Sequence, residues 1–143
     1  MKPRVAVLTT IIGLLGVALL APSLSQAKGV PVGEEFTMRI GDRVKVSGPK
    51  IIIDFVDVLS DSRCPVDVVC VWTGNAQIQL QLQSKAHPPK FALLNTTQTP
   101  RQEEFKHYVV KLVRLDPQKT SNRQIDKSDY VVTLIVVPAD SQG

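Results

Sequence analysis

The sequence predicts an all-β fold, an antiparallel β-sandwich (Ig-like) or small barrel of about six or seven strands. Three observations carry this. Short apolar runs with period-2 alternation recur along the chain, turn residues separate them, and no long helical pattern follows the N-terminus.

The elements follow in order. Gly29 to Gly33 reads as an extended, loosely held lead-in. Phe36, Met38 and Ile40 then alternate with Thr37 and Arg39, Gly41-Asp42 marks a turn, and Val44 and Val46 resume the alternation. Ile51 to Leu59 is β-branched and apolar, which predicts a strand buried on much of both faces. Ala76, Ile78, Leu80 and Leu82 alternate with Gln77, Gln79, Gln81 and Gln83, the pattern of a strand with one dry and one wet face. Phe91 to Leu94 is a short strand, Asn95 to Gln102 a loop, and Glu103 to Lys106 a single helical turn. Tyr108 to Leu115 is β-rich, Gln118 to Ser128 a long polar loop, and Tyr130 to Val137 the last strand. The tail Ala139 to Gly143 is expected to be disordered.

The N-terminus points to export. Lys2 and Arg4 precede the apolar stretch Val5 to Leu20, Pro22 breaks it, and Ser25-Gln26-Ala27 offers small residues at a cleavage site. That pattern predicts a signal peptide over residues 1–27, cut after Ala27, and a periplasmic or extracellular protein. An uncleaved anchor is the competing reading, but the apolar core is short for a span. No cysteine near the site could carry a lipid. Residues 28–143 then form a single domain.

Without Lys2 and Arg4 the chain keeps 15 of its 17 basic residues against 13 acidic ones, a net charge of about +2. That balance argues against a nucleic-acid partner, and no later run is long enough to span a membrane.

Both cysteines and the only tryptophan lie in Asp61-Ser62-Arg63-Cys64-Pro65-Val66-Asp67-Val68-Val69-Cys70-Val71-Trp72-Thr73-Gly74. In an exported chain an even pair predicts a disulfide, Cys64 to Cys70, tying the exit of one strand to the start of the next. Trp72 shares the strand parity of Cys70, so the indole is expected against the disulfide, facing the core. Asp61 followed by Ser62 suits a turn, Arg63 suits a neighbouring carboxylate, and Gly74-Asn75 suggests a bulge.

Three sharper readings compete. A redox centre would prefer Cys-x-x-Cys at a helix start. A thiolate metal site would need His87 or His107, which lie far apart in the sequence and show no pairing motif. Calcium could draw on Asp57, Asp61 and Asp67, with Asp54 nearby, but the repeated-Asp loop pattern is missing. Glu103, Glu104 and His107 give one Glu-x-x-His spacing, better read as a solvated turn. Asn95-Thr96-Thr97 is a glycosylation sequon. No hydrolase, zinc-protease or phosphate-loop motif is present.

Asp61-Ser62-Arg63-Cys64-Pro65, then Cys70-Val71-Trp72 and Gly74-Asn75-Ala76, resembles a signature of small exported bacterial proteins and lipoproteins of unknown function. Ile53 to Val58 and Tyr130 to Leu134 are similar too. The resemblance implies an exported, mostly β domain with a local disulfide, and brings no catalytic residue or ligand. The expected function is a non-enzymatic binding or structural module, with no cofactor, whose partner is a protein or envelope component. Its binding loop would hold Asp61, Arg63, Asp67, Trp72 and Asn75. The alternative is a metal-binding domain, calcium-stabilised or a metal carrier.

Overall fold

The computed structural model describes residues 29–141, so the signal peptide expected over residues 1–27 lies outside it, as do residue 28 and the last two residues. Eight strands build two four-stranded antiparallel sheets. They are β1 (Glu35–Arg39), β2 (Arg43–Val46), β3 (Ile51–Asp61), β4 (Ala76–Ser84), β5 (His87–Asn95), β6 (Gln102–Phe105), β7 (Tyr108–Asp116) and β8 (Val131–Pro138). One sheet runs β1-β8-β7-β6 and the other β2-β3-β4-β5. The inner residues of both sheets merge into a single core, so the fold is an all-β sandwich.

Alternation builds the core. Ala76, Ile78, Leu80 and Leu82 of β4 are fully buried, and the glutamines between them stay half-exposed. Val132, Leu134 and Val136 are buried on β8, as is Thr133 between the first two. Strand β3 departs from the sequence expectation of two buried faces. Ile51, Ile53 and Phe55 are buried, Ile52 and Asp54 are not, and Val56 and Leu59 are exposed. An antiparallel sheet needs only one dry face. A register shift between Phe55 and Asp57 then resets the parity and turns Val58 inward.

Four local expectations are corrected. Strand β5 begins at His87, because Pro88 and Pro89 sit on a sheet edge where missing N–H donors do no harm. Glu103 to Phe105 pair with β7 as strand, not helix. One isolated helical turn fixes many dihedrals for one hydrogen bond, whereas the edge of β7 offers a ladder. Lys106 and His107, at φ 55° and 62°, close this hairpin as a two-residue turn. The lead-in is tied down, with Val30 bridging Val46 and Gly33 N–H donating to Val136 O at 2.8 Å. Of the tail expected to be disordered, Ala139–Ser141 form a short 3-10 turn, and residues 142–143 lie outside the described residues.

The strand directions gather three loops at one end of the sandwich: 62–75 after β3, 96–101 after β5 and 117–130 after β7.

Candidate functional site

The 62–75 loop is built as a neck, a clamp and a tip. At the neck the β3–β4 ladder continues past Asp61 and Ala76. Ser62 N–H and Oγ–H both donate to Asn75 O, at 2.8 and 2.9 Å, and Cys64 N–H donates to Thr73 O at 3.1 Å. Gly74 makes this closeness possible. Its φ is +69°, and a Cβ there would stand 1.8 Å from Ser62 O. Only glycine tolerates both.

Asn75, 9% exposed, joins the neck to the 96–101 loop. Its Nδ2 donates to Asn95 Oδ1 at 2.8 Å, and its Oδ1 accepts from Thr97 N–H at 3.1 Å. Asn95 is only 4% exposed and spends its own Nδ2 on Pro100 O. The sequon asparagine is therefore closed off in the folded protein.

The clamp joins the two sheets. Arg63 Nε and Nη2 donate to Asp61 Oδ1 and Oδ2 at 2.9 and 2.7 Å. Its Nη1 donates to Leu115 O at 2.6 Å and Nη2 also to Pro117 O at 3.0 Å. Tyr130 Oη–H donates to Asp61 Oδ2 at 3.0 Å, and Lys119 Nζ to Asp61 O at 2.9 Å. The side chains of Arg63 and Asp61 are 14% and 7% exposed. Burial pushes the Asp61 carboxyl up, but the hydrogen bonds and charge of Arg63 outweigh it and hold the group below its ordinary range. Burial first, then the neighbouring Asp61, raise the Tyr130 phenol to about 12.

The tip is a six-residue step closed by the Cys64–Cys70 disulfide, with Cα atoms 6.0 Å apart. Asp67 turns away from it, accepting from Ser121 N–H and Oγ–H at 2.8 and 2.6 Å, and these bonds lower its carboxyl pKa. Val66 N–H donates to Lys119 O at 3.0 Å. What remains outside is apolar. Val69 is 102% exposed, Val71 91%, Trp72 82% and Val68 43%. The expectation that Trp72 packs on the disulfide against the core is thus corrected. Cys70 to Trp72 form no ladder, so strand parity does not extend to them, and Cys70 itself lies at the surface.

The sequence candidates separate accordingly. Asp61, Arg63 and Asn75 are brought together as scaffold, and Trp72 stands apart at the tip. Asp57, Asp61 and Asp67 do not converge. Asp57 pairs with Lys127 Nζ at 2.6 Å, Asp61 with Arg63, and Asp67 with Ser121. Among the described residues no group of three or more His, Cys, Asp or Glu side chains gathers at metal-binding distance. His87 lies edge-on to Phe105, and His107 sits in the β6–β7 turn, away from the loop. A groove of about 360 Å³ runs between the loop and β7, lined by Val66, Thr73, Leu112 and Lys119 among others. Tyr130, Lys119 and Ser121 escape the sequence reading, which sees Asn95 only as a sequon. Each meets the loop from more than 15 residues away, and no local pattern signals such a contact.

Comparison with protein-family models, with curated proteins and with solved structures finds no match.

Proposed function

We propose that the protein is an exported, non-enzymatic binding module that engages a component of the cell envelope with the apolar tip of its disulfide-closed loop. The observation that supports this is the division of the loop. Its three charged or amide side chains, Arg63, Asp67 and Asn75, bond back to the protein body, while Val68, Val69, Val71 and Trp72 point to water. Grouped apolar side chains on a held loop are characteristic of interaction sites. Tryptophan supplies the largest contact area per side chain and is enriched where binding energy concentrates. The neck, the clamp and the ring order the loop before any partner arrives, which lowers the entropy lost on binding.

The test combines Val69→Asp with Trp72→Ala and measures partition into the envelope fraction of the producing cell. Wild-type protein is expected to partition and the variant to be released, with melting temperatures agreeing within about 2 °C. Equal partition of the two proteins would refute the reading.

A further inference from the structure

We infer that the surface bound by this tip is the interfacial layer of a lipid bilayer, an inference that rests on the docking reading above.

Chemistry gives the first argument. Trp72 is 82% exposed, so its indole N–H and its apolar face are both open. A ring with one wet end and one dry body belongs at the boundary between headgroups and acyl chains. The valines beside it supply aliphatic surface without any polar atom in the side chain.

Area gives the second. A stable protein–protein interface takes about 800 Å² from each partner, and a tryptophan supplies at most about 250 Å². The projecting tip is Trp72 with Val68, Val69 and Val71, and its base is bonded back to the body through Asp67–Ser121 and Val66–Lys119. So narrow a finger offers little for a flat protein partner. A bilayer accepts a few inserted side chains and deforms around them.

Charge gives the third. No side chain from Val68 to Trp72 is ionised, and the ring carries one charge, the exposed Asp67 carboxylate held onto Ser121. At its base Arg63 is paired with Asp61 and Arg114 with Asp116, the Asp67 carboxylate is turned onto Ser121, and Lys119 bonds a main-chain oxygen. These pairings leave no uncompensated basic cluster at the base, so adsorption rests on apolar contact. Insertion is therefore apolar and insensitive to salt. It is also shallow. The main chain from Val69 to Trp72 belongs to no ladder, and unpaired peptide groups cannot enter hydrocarbon. The tip reaches the headgroup–acyl boundary, as interfacial anchors do.

Trp72 is the only tryptophan, so its emission reports on the tip alone. Purified full-length mature protein is titrated with vesicles of phosphatidylcholine, and of phosphatidylcholine with phosphatidylglycerol, at low and high salt. Emission and co-sedimentation are read together, and envelope membranes from the producing cell run in parallel. The expected result is a blue shift with sedimentation on both vesicle types, changing less than about twofold with salt. Trp72→Ala and, separately, Val69→Asp should each weaken sedimentation by about tenfold or more. Association with envelope membranes that the variants abolish, without binding to pure lipid, overturns the lipid inference and leaves a protein partner. A dimer that Trp72→Ala dissociates, again without lipid binding, overturns it in favour of a second copy. No association with either membrane overturns both the inference and the docking reading.

Discussion

Arg63 holds Asp61 by two parallel hydrogen bonds of 2.9 and 2.7 Å, and the same guanidinium donates to the main-chain oxygens of Leu115 and Pro117. Asp61 ends β3 of one sheet and Leu115 lies in β7 of the other, so one side chain fastens the sandwich beneath the loop. A planar, five-donor cation suits this geometry, and lysine would not reproduce it.

Arg63→Leu should cost roughly 3 kcal/mol, the lower end of what breaking a buried pair costs, because it leaves Asp61 buried and uncompensated. Adding Asp61→Asn should restore part of the loss by removing the orphaned charge. Urea unfolding of the wild type, the single variants and the pair measures the coupling.

The clamp also fixes how stability depends on pH. The folded-state pKa of Asp61 lies below its ordinary value, so this stabilisation is complete above about pH 4 and is lost as pH falls through the folded value. Tyr130 runs the other way. With a folded pKa of about 12 against an ordinary value near 10, its contribution is complete below pH 10 and is lost as pH rises towards 12. Acid melts of Asp61→Asn should lack the first step, and alkaline melts of Tyr130→Phe the second. Phenolate absorbance should show one tyrosine titrating near pH 12.

Gly74→Ala should destabilise the fold by at least about 2 kcal/mol. The new Cβ would meet Ser62 O at 1.8 Å on a residue already at φ +69°. Chemical denaturation gives the number, and hydrogen exchange at Ser62 and Cys64 should show the neck opening.

Replacing Cys64 and Cys70 together by serine should lower stability by about 2 kcal/mol, the value a small ring gives in the chain-entropy model. The neck and clamp should keep the variant folded, while the loosened tip loses binding. Equal melting temperatures for oxidised and reduced protein would contradict a structural role for the ring.

Much of the sandwich was legible in the sequence because burial alternates where strands are regular. The Ala76–Leu82 run shows it plainly, whereas in the last strand Thr133 is buried along with Val132 and Leu134. Legibility failed where tertiary contacts decide. Glu103 to Phe105 became strand because the edge of β7 was available, and Val58 turned inward through a register shift that no residue type announces. The loop was recognisable as a unit, yet its roles were mixed. Asp61 and Arg63 looked like binding residues. Their partners Leu115, Pro117 and Tyr130 lie 52 to 69 residues away, beyond any local pattern. Strand parity, extended across a segment that makes no ladder, predicts Trp72 inside, and the structure turns it out.

The functional reading depends on Trp72 being presented rather than packed, and the emission of the folded protein tests that directly. In buffer without membranes, the emission maximum should match that of the urea-unfolded chain, and iodide should quench both states to a similar extent. A folded-state maximum shifted to the blue, with the indole protected from iodide, would place Trp72 against the protein body and contradict the account.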